Sequence, residues 1–145
     1  MNQMMRLIAA AAMCIFSITF AGAQDVVGVW KTIDDQTNLP TSHVEIYKKG
    51  NTYFGKIVDI LRDDPNALCT KCDGDLKNKP IMGMVILSDM VKQDSETWTS
   101  GSIIDPESGK EYKCKIYLKS NLSLTLRGYI GAPLFGRSQE WIRVK

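Results

Sequence analysis

Cys69-Thr70-Lys71-Cys72 is the one short motif in this chain whose spacing could do chemistry by itself. Two cysteines so placed serve as a local disulfide, as a redox couple, or as half of a tetrahedral metal site. A redox couple wants its first cysteine at a helix N-terminus in a βαβ setting, where the thiolate is stabilised. This pair falls instead in a loop between strand-like runs. Zinc takes four ligands, and only Cys114 and His43 stand ready to complete a set. Cys114 sits on the apolar side of an alternating run and reads as a small buried group. The favoured reading is a structural disulfide between Cys69 and Cys72 that pins a long loop, contributing about 2 kcal/mol in the chain-entropy view. No metal site and no cofactor is implied.

His43 is the only histidine, so any Ser-His-Asp or Cys-His arrangement would have to use it. It opens an alternating run beside Thr41 and Ser42, where an exposed or turn-capping role is the simpler reading. No catalytic residue is assigned on these grounds. Asp73-x-Asp75 hints at calcium, but Met84 stands where an EF-hand loop has its last ligand and the central glycine is missing. Asp34-Asp35 and Asp105-Pro106 read first as turn chemistry. Paired carboxylates of the kind that cleave glycosides stay open.

Arg127, Arg137 and Arg143 fall near Tyr129, Trp141 and Trp30 in an all-strand arrangement. A guanidinium stacked on an indole face is worth about 0.5–2 kcal/mol and locks barrel ends. The functional alternative makes one arginine the anchor for a ligand carboxylate or phosphate. Leu134 and Phe135 lie in a glycine-flanked loop, 131–136. They either present a contact surface or lid, or fold inward as a plug. Trp30, Arg127, Tyr129, Arg137, Leu134 and Phe135 are the candidate binding residues.

The elements that must position these groups follow a removable leader. Residues 1–23 read as a signal peptide: Arg6, an apolar core over 7–20, then Ala21-Gly22-Ala23 before Gln24. That core falls short of the roughly 20 residues that span a bilayer. The mature chain, 24–145, is therefore expected to have no transmembrane segment and to be periplasmic or secreted from a bacterium. It has the size of one domain. The formal charge of the whole chain is +2. Nucleic-acid binding needs a concentrated basic surface, so that partner class is excluded. With Cys14 removed in the leader, Cys69, Cys72 and Cys114 make an odd set, which leaves a free thiol or an intermolecular link.

The mature chain predicts strands over 26–32, 43–48, 53–61, 81–87, 97–104, 112–119, 122–127 and 138–144. Tyr112, Cys114, Ile116 and Leu118 alternate with Lys113, Lys115, Tyr117 and Lys119, the period of a half-buried strand. Lys49-Gly50-Asn51-Thr52 and Asp105-Pro106-Glu107-Ser108-Gly109 carry hairpin and turn residues. The only trace of helical period lies in 88–95. About eight short runs with short links predict an all-β fold, an antiparallel up-and-down barrel. Closure is favoured because it removes two unpaired edges. Such a barrel is either filled by side chains or holds one small ligand, and the pattern leaves that choice open.

Gly28-x-Trp30, Gly55-Lys56-Ile57, Cys69-x-x-Cys72, Gly101-x-Ile103-x-Asp105-Pro106, Gly109-Lys110-x-Tyr112, Arg127-Gly128-Tyr129-x-Gly131 and Gly136-Arg137-x-x-x-Trp141 occur in that order. The series resembles the secreted bacterial family catalogued as domain of unknown function 2147, across essentially the whole mature chain. The resemblance implies an exported β-domain and carries over no activity. Gly28-x-Trp30 is also similar to the opening of lipocalin-type barrels. There the tryptophan sits at the barrel base and a late arginine packs across it, a part that Arg143 or Arg127 could play. The expected function is a non-enzymatic binding module for a small, partly apolar or anionic ligand, or for a cell-envelope protein partner. The alternative is an envelope enzyme using carboxylates for hydrolysis or Cys69 and Cys72 for thiol exchange.

Overall fold

The computed structural model describes residues 24–145, and the expected leader lies outside them. Eight strands run in chain order: β1 (Gly28–Ile33), β2 (Pro40–Lys49), β3 (Thr52–Ile60), β4 (Val85–Lys92), β5 (Thr97–Asp105), β6 (Lys110–Leu118), β7 (Ser123–Tyr129) and β8 (Gly136–Arg143). Each pairs antiparallel with the next, and β8 returns to β1 through Trp30–Arg143, Lys31–Ile142 and Thr32–Trp141. The sheet is a closed barrel, as its alternation predicts. Among the described residues, no helix is long and apolar enough to cross a membrane.

Alternation decides which side chains enter. Cys114, Ile116 and Leu118 of β6 face Gly128, Leu126 and Leu124 of β7 in register, and the cysteine and all four aliphatic side chains are buried. The stretch 88–95 is not helical. β4 runs through to Lys92, with Met90 opposite Tyr53. A register shift opposite Gly55 and Lys56 leaves the adjacent Ile86 and Leu87 both buried, and Asp89, with φ 56°, interrupts the pleat before the buried Met90. That interrupted strand imitates helical spacing. Residues 81–84, expected as strand, instead close the long loop. The Gly83 N–H donates to the Ile57 carbonyl at 2.8 Å, and the Ile57 N–H donates to the Met84 carbonyl at 2.9 Å.

The tight hairpins β2–β3, β4–β5 and β6–β7 all lie at one end of the barrel, together with the start of β1 and the finish of β8. This closed end is solid. Tyr53 and Trp98 meet edge to face at 5.9 Å. Trp30 donates its indole N–H to the Val26 carbonyl at 2.7 Å, and the Arg143 guanidinium lies over its ring at 4.2 Å. Arg143 is spent entirely on backbone, donating to the carbonyls of Asn121, Val27 and Asp25 at 2.5, 2.7 and 2.6 Å. Burial holds it below the usual guanidinium range, against the pull of Asp25. Gly28 is required here: φ is +141°, and a Cβ would stand 2.5 Å from Arg143 Nη1 and 2.6 Å from the Lys145 carbonyl.

Candidate functional site

The opposite end, where the β1–β2, β3–β4, β5–β6 and β7–β8 connections meet, is hollow. A cavity of about 510 Å³ opens there, within the range of small-molecule sites. Its composition follows from the inward positions of four strands. Moving two residues toward this end takes β1 from Trp30 to Thr32, β2 from Val44 to Ser42, β7 from Leu126 to Gly128, and β8 from Trp141 to Gln139. Large apolar groups give way to small or polar ones, and the space they vacate is the cavity.

The cavity has two faces. Ile57, Ile60, Ile86 and Ile103 of β3, β4 and β5 line one side. Thr32, Thr41, Ser42 and Gln139 of β1, β2 and β8 line the other. Thr32 is 5 % exposed and is the buried polar residue of the barrel among those described. Its hydroxyl lies 2.5 Å from that of Thr41 and 2.9 Å from that of Ser42. Two neighbouring residues of β2 reach it because the β1–β2 register shifts between Thr32 and Ile33, a bulge that turns an extra side chain inward. The Trp141 indole N–H donates to Gln139 Oε1 at 3.3 Å.

The long loop 61–84 forms part of the wall through Asp63, Ala67 and Ile81. It is folded on itself: the Cys69 N–H donates to the Lys79 carbonyl at 2.8 Å and the Ile81 N–H to the Ala67 carbonyl at 3.0 Å. The Cys69–Cys72 disulfide is formed. Cys69 Sγ lies 3.3 Å from the Pro106 carbonyl, and Gly109, with φ +72°, packs so closely on the Lys71 carbonyl that no Cβ would fit. The disulfide therefore seats the loop on the β5–β6 turn, whose Asp105, Pro106 and Glu107 border the cavity. Cys69 and Cys72 are 0 % and 1 % exposed, so an incoming thiolate has no path to either sulfur in this conformation. Cys114 is a buried free thiol, and burial pushes its ionisation well above the usual thiol range.

The rim is acidic. Asp34, Asp35, Asp63, Asp105 and Glu107 border the cavity, whereas Arg137 is the one basic residue that does. Arg137 is bound in bidentate fashion to Asp35, with Nη2–Oδ1 at 2.5 Å and Nε–Oδ2 at 3.0 Å, and this hydrogen bonding raises its ionisation. Arg62 stands behind the rim, 2.8 Å from Glu107 and 3.5 Å from Asp34. Backbone N–H groups of Thr37 and Gln36 hold the Asp34 carboxyl below its ordinary range, with Arg62 adding to the effect.

Of the residues singled out in the sequence, Tyr129, Arg137 and Phe135 border the cavity. Trp30 lies at the closed end. Arg127 points to the outer side, in register with Lys115 and Ser138. It donates to the carbonyls of Pro133 and Leu134 at 2.6 and 3.2 Å and to Ser138 Oγ at 2.9 Å. It is thus the tether of the 131–136 loop. Each of the three arginines offered as an anion anchor already holds partners within the protein: Arg127 in this loop, Arg137 at Asp35 and Arg143 at backbone carbonyls. Leu134 is 80 % exposed and stands clear of the cavity, while Phe135, 71 % exposed, sits at its mouth. The loop therefore does not plug the barrel. His43 is paired with Asp59 at 3.3 Å, in strand register with it. Thr32, Ser42 and Gln139 were missed, although the change from large to small at successive inward positions was present in the sequence.

The family profile described as an uncharacterised protein conserved in bacteria, DUF2147, matches residues 28–143, the span from the first strand to the last. The chain belongs to the DUF2147 family. Protein HP1028 from the human pathogen Helicobacter pylori, described as belonging to the lipocalin family, aligns with this DUF2147 barrel at TM-score 0.75. The alignment covers 83 % of this chain and 84 % of that one at 19 % identity, and it shows a shared lipocalin-like fold. A redesigned β-barrel aligns at TM-score 0.48, with 11 % identity over 82 % of this chain and 90 % of that one. No curated protein matches this DUF2147 member.

Proposed function

We propose that this protein is an exported binding module whose open end takes up one small, partly apolar molecule. The observation that carries the reading is the asymmetry of the barrel interior: tryptophans and an arginine strap seal one end, and a two-faced cavity of about 510 Å³ occupies the other. A cavity lined by aliphatic groups, with a few convergent polar ones, is the usual form of a small-molecule site. Tyr129, Arg137 and Phe135 contribute to its mouth. A periplasmic or secreted location is supported by the leader pattern in 1–23 and by a formed disulfide, which persists in oxidising compartments.

Tryptophan fluorescence tests the reading. Trp141 borders the cavity, whereas Trp30 and Trp98 lie in the closed half. Saturable quenching by members of a lipid and small-amphiphile panel should be seen, and it should vanish in Trp141→Phe. Native mass spectrometry of protein purified from its bacterial host should show bound mass, with the chain beginning at Gln24. A bare mass, together with no saturable response across the panel, would overturn the proposal.

A further inference from the structure

The polar wall of the cavity has more donors than it can use. Thr32, Thr41 and Ser42 bring three hydroxyl protons to two oxygen–oxygen contacts, Thr32–Thr41 and Thr32–Ser42. Each contact consumes one proton. The Ser42 N–H also donates to Thr32 Oγ1, at 3.1 Å, so one lone pair of Thr32 is already taken. The Thr32 proton has a further acceptor in the Ser42 carbonyl at 3.3 Å, and with one lone pair left Thr32 accepts from no more than one of its two hydroxyl neighbours. The other neighbour keeps its own proton to offer, and both Thr41 and Ser42 border the cavity. Gln139 adds to the surplus. Its Oε1 accepts from the Trp141 indole, which fixes the amide orientation because an indole N–H can only donate. The NH₂ group is left with no acceptor among the described residues.

Spare donors inside call for an acceptor on the ligand. The rim restricts which acceptor: five carboxylates border the cavity, and the two guanidinium groups of Arg137 and Arg62 are already paired with four of them. No lysine borders it. An anionic head would meet net negative charge at the mouth and find no free cation within.

We propose that the cavity selects a medium-length acyl chain capped by an uncharged carbonyl, an amide or an ester, and rejects the corresponding free carboxylate. The carbonyl oxygen accepts from the hydroxyl of Ser42 or Thr41 and from the Gln139 amide, while the chain lies along Ile57, Ile60, Ile86 and Ile103. This rests on the reading of the open end as a small-molecule site and names its ligand class.

Isothermal titration calorimetry of the exported protein with octanamide and with octanoate tests it. Octanamide should bind on the order of tenfold more tightly at low salt, and the gap should narrow as ionic strength rises. Glu107→Gln should raise octanoate affinity and so narrow the gap between the two probes. Ser42→Ala and, separately, Gln139→Leu should each weaken octanamide by roughly three- to tenfold with a smaller effect on octanoate. Thermal unfolding of each variant confirms that it is folded. If octanoate binds as well as octanamide, or if both polar variants leave octanamide binding unchanged, the inference fails while the cavity reading stands. If neither probe binds while other members of the lipid and small-amphiphile panel do, the inference fails and the cavity reading stands; a bare mass with no response to any of them overturns both.

Discussion

The two ends of this barrel are made by the same eight strands and differ in what their inward positions carry. At the closed end, Trp30, Tyr53, Met90 and Trp98 fill the cross-section, and Arg143 lies over the Trp30 ring and ties it to the backbone of Asp25, Val27 and Asn121. At the open end, Thr32, Ser42, Gly128 and Gln139 occupy equivalent positions on β1, β2, β7 and β8, and the cross-section is empty. The closed end is where apolar burial concentrates. The open end gives up that packing for a surface that a ligand can complete, and it is held in shape by cross-links: the Cys69–Cys72 disulfide, the Arg127 tether and the Arg137–Asp35 pair.

The comparison can be broken most directly at Trp30. Trp30→Ala should cost about 3–5 kcal/mol, the usual range for removing a buried large aromatic, measured by urea denaturation followed by circular dichroism. A loss below about 1 kcal/mol would mean that the closed end is not the stabilising half. The paired change Cys69→Ser and Cys72→Ser should cost about 2 kcal/mol. It should also weaken ligand uptake, because the freed loop 61–84 carries Asp63, Ala67 and Ile81 away from the cavity wall. Unchanged uptake would separate the loop from the site.

Cys114 gives a pH signature. Its thiol ionises at about 9.0 when exposed and well above that in the barrel. The unfolded chain therefore loses a proton that the folded chain keeps, and stability is full below pH 9 and falls above it. The fall is about 1.4 kcal/mol per pH unit for one such group. Cys114→Ala should flatten this alkaline slope, which denaturation curves between pH 8 and 11 would report. The smallest effect belongs to the exposed loop. Leu134→Ser and Phe135→Ser should each shift stability by less than about 0.5 kcal/mol, and only Phe135→Ser should alter uptake. Equal effects on uptake from both would show that Leu134 also covers the mouth.

Strand order and the disulfide were legible because each rests on neighbours in the chain: alternating polarity, turn residues, and two cysteines one short loop apart. Closure was expected because it removes two unpaired edges. The Trp30–Arg143 strap was legible as a pair, with the arginine left as a choice between Arg143 and Arg127. The binding set was legible only in part. Arg127 and Arg137 look alike in sequence, yet one lies on the outer side holding Pro133 and Leu134 while the other stands at the rim against Asp35. Asp35 and Arg137 are on the first and last strands' flanks, and only closure of the sheet brings them together. The fourth strand was expected over 81–87 and runs instead over Val85–Lys92, its alternation broken at Asp89 by a positive φ, a backbone event with no residue-type signal strong enough to announce it.

Periodicity alone dictated an all-β chain with defined inner and outer faces, since the pleat of a strand is a local property of its backbone. Whether the inside would be solid or hollow was decided only when the sheet closed. The volume opposite Thr32 or Gln139 depends on side chains contributed from across the barrel, and no local pattern can add those up.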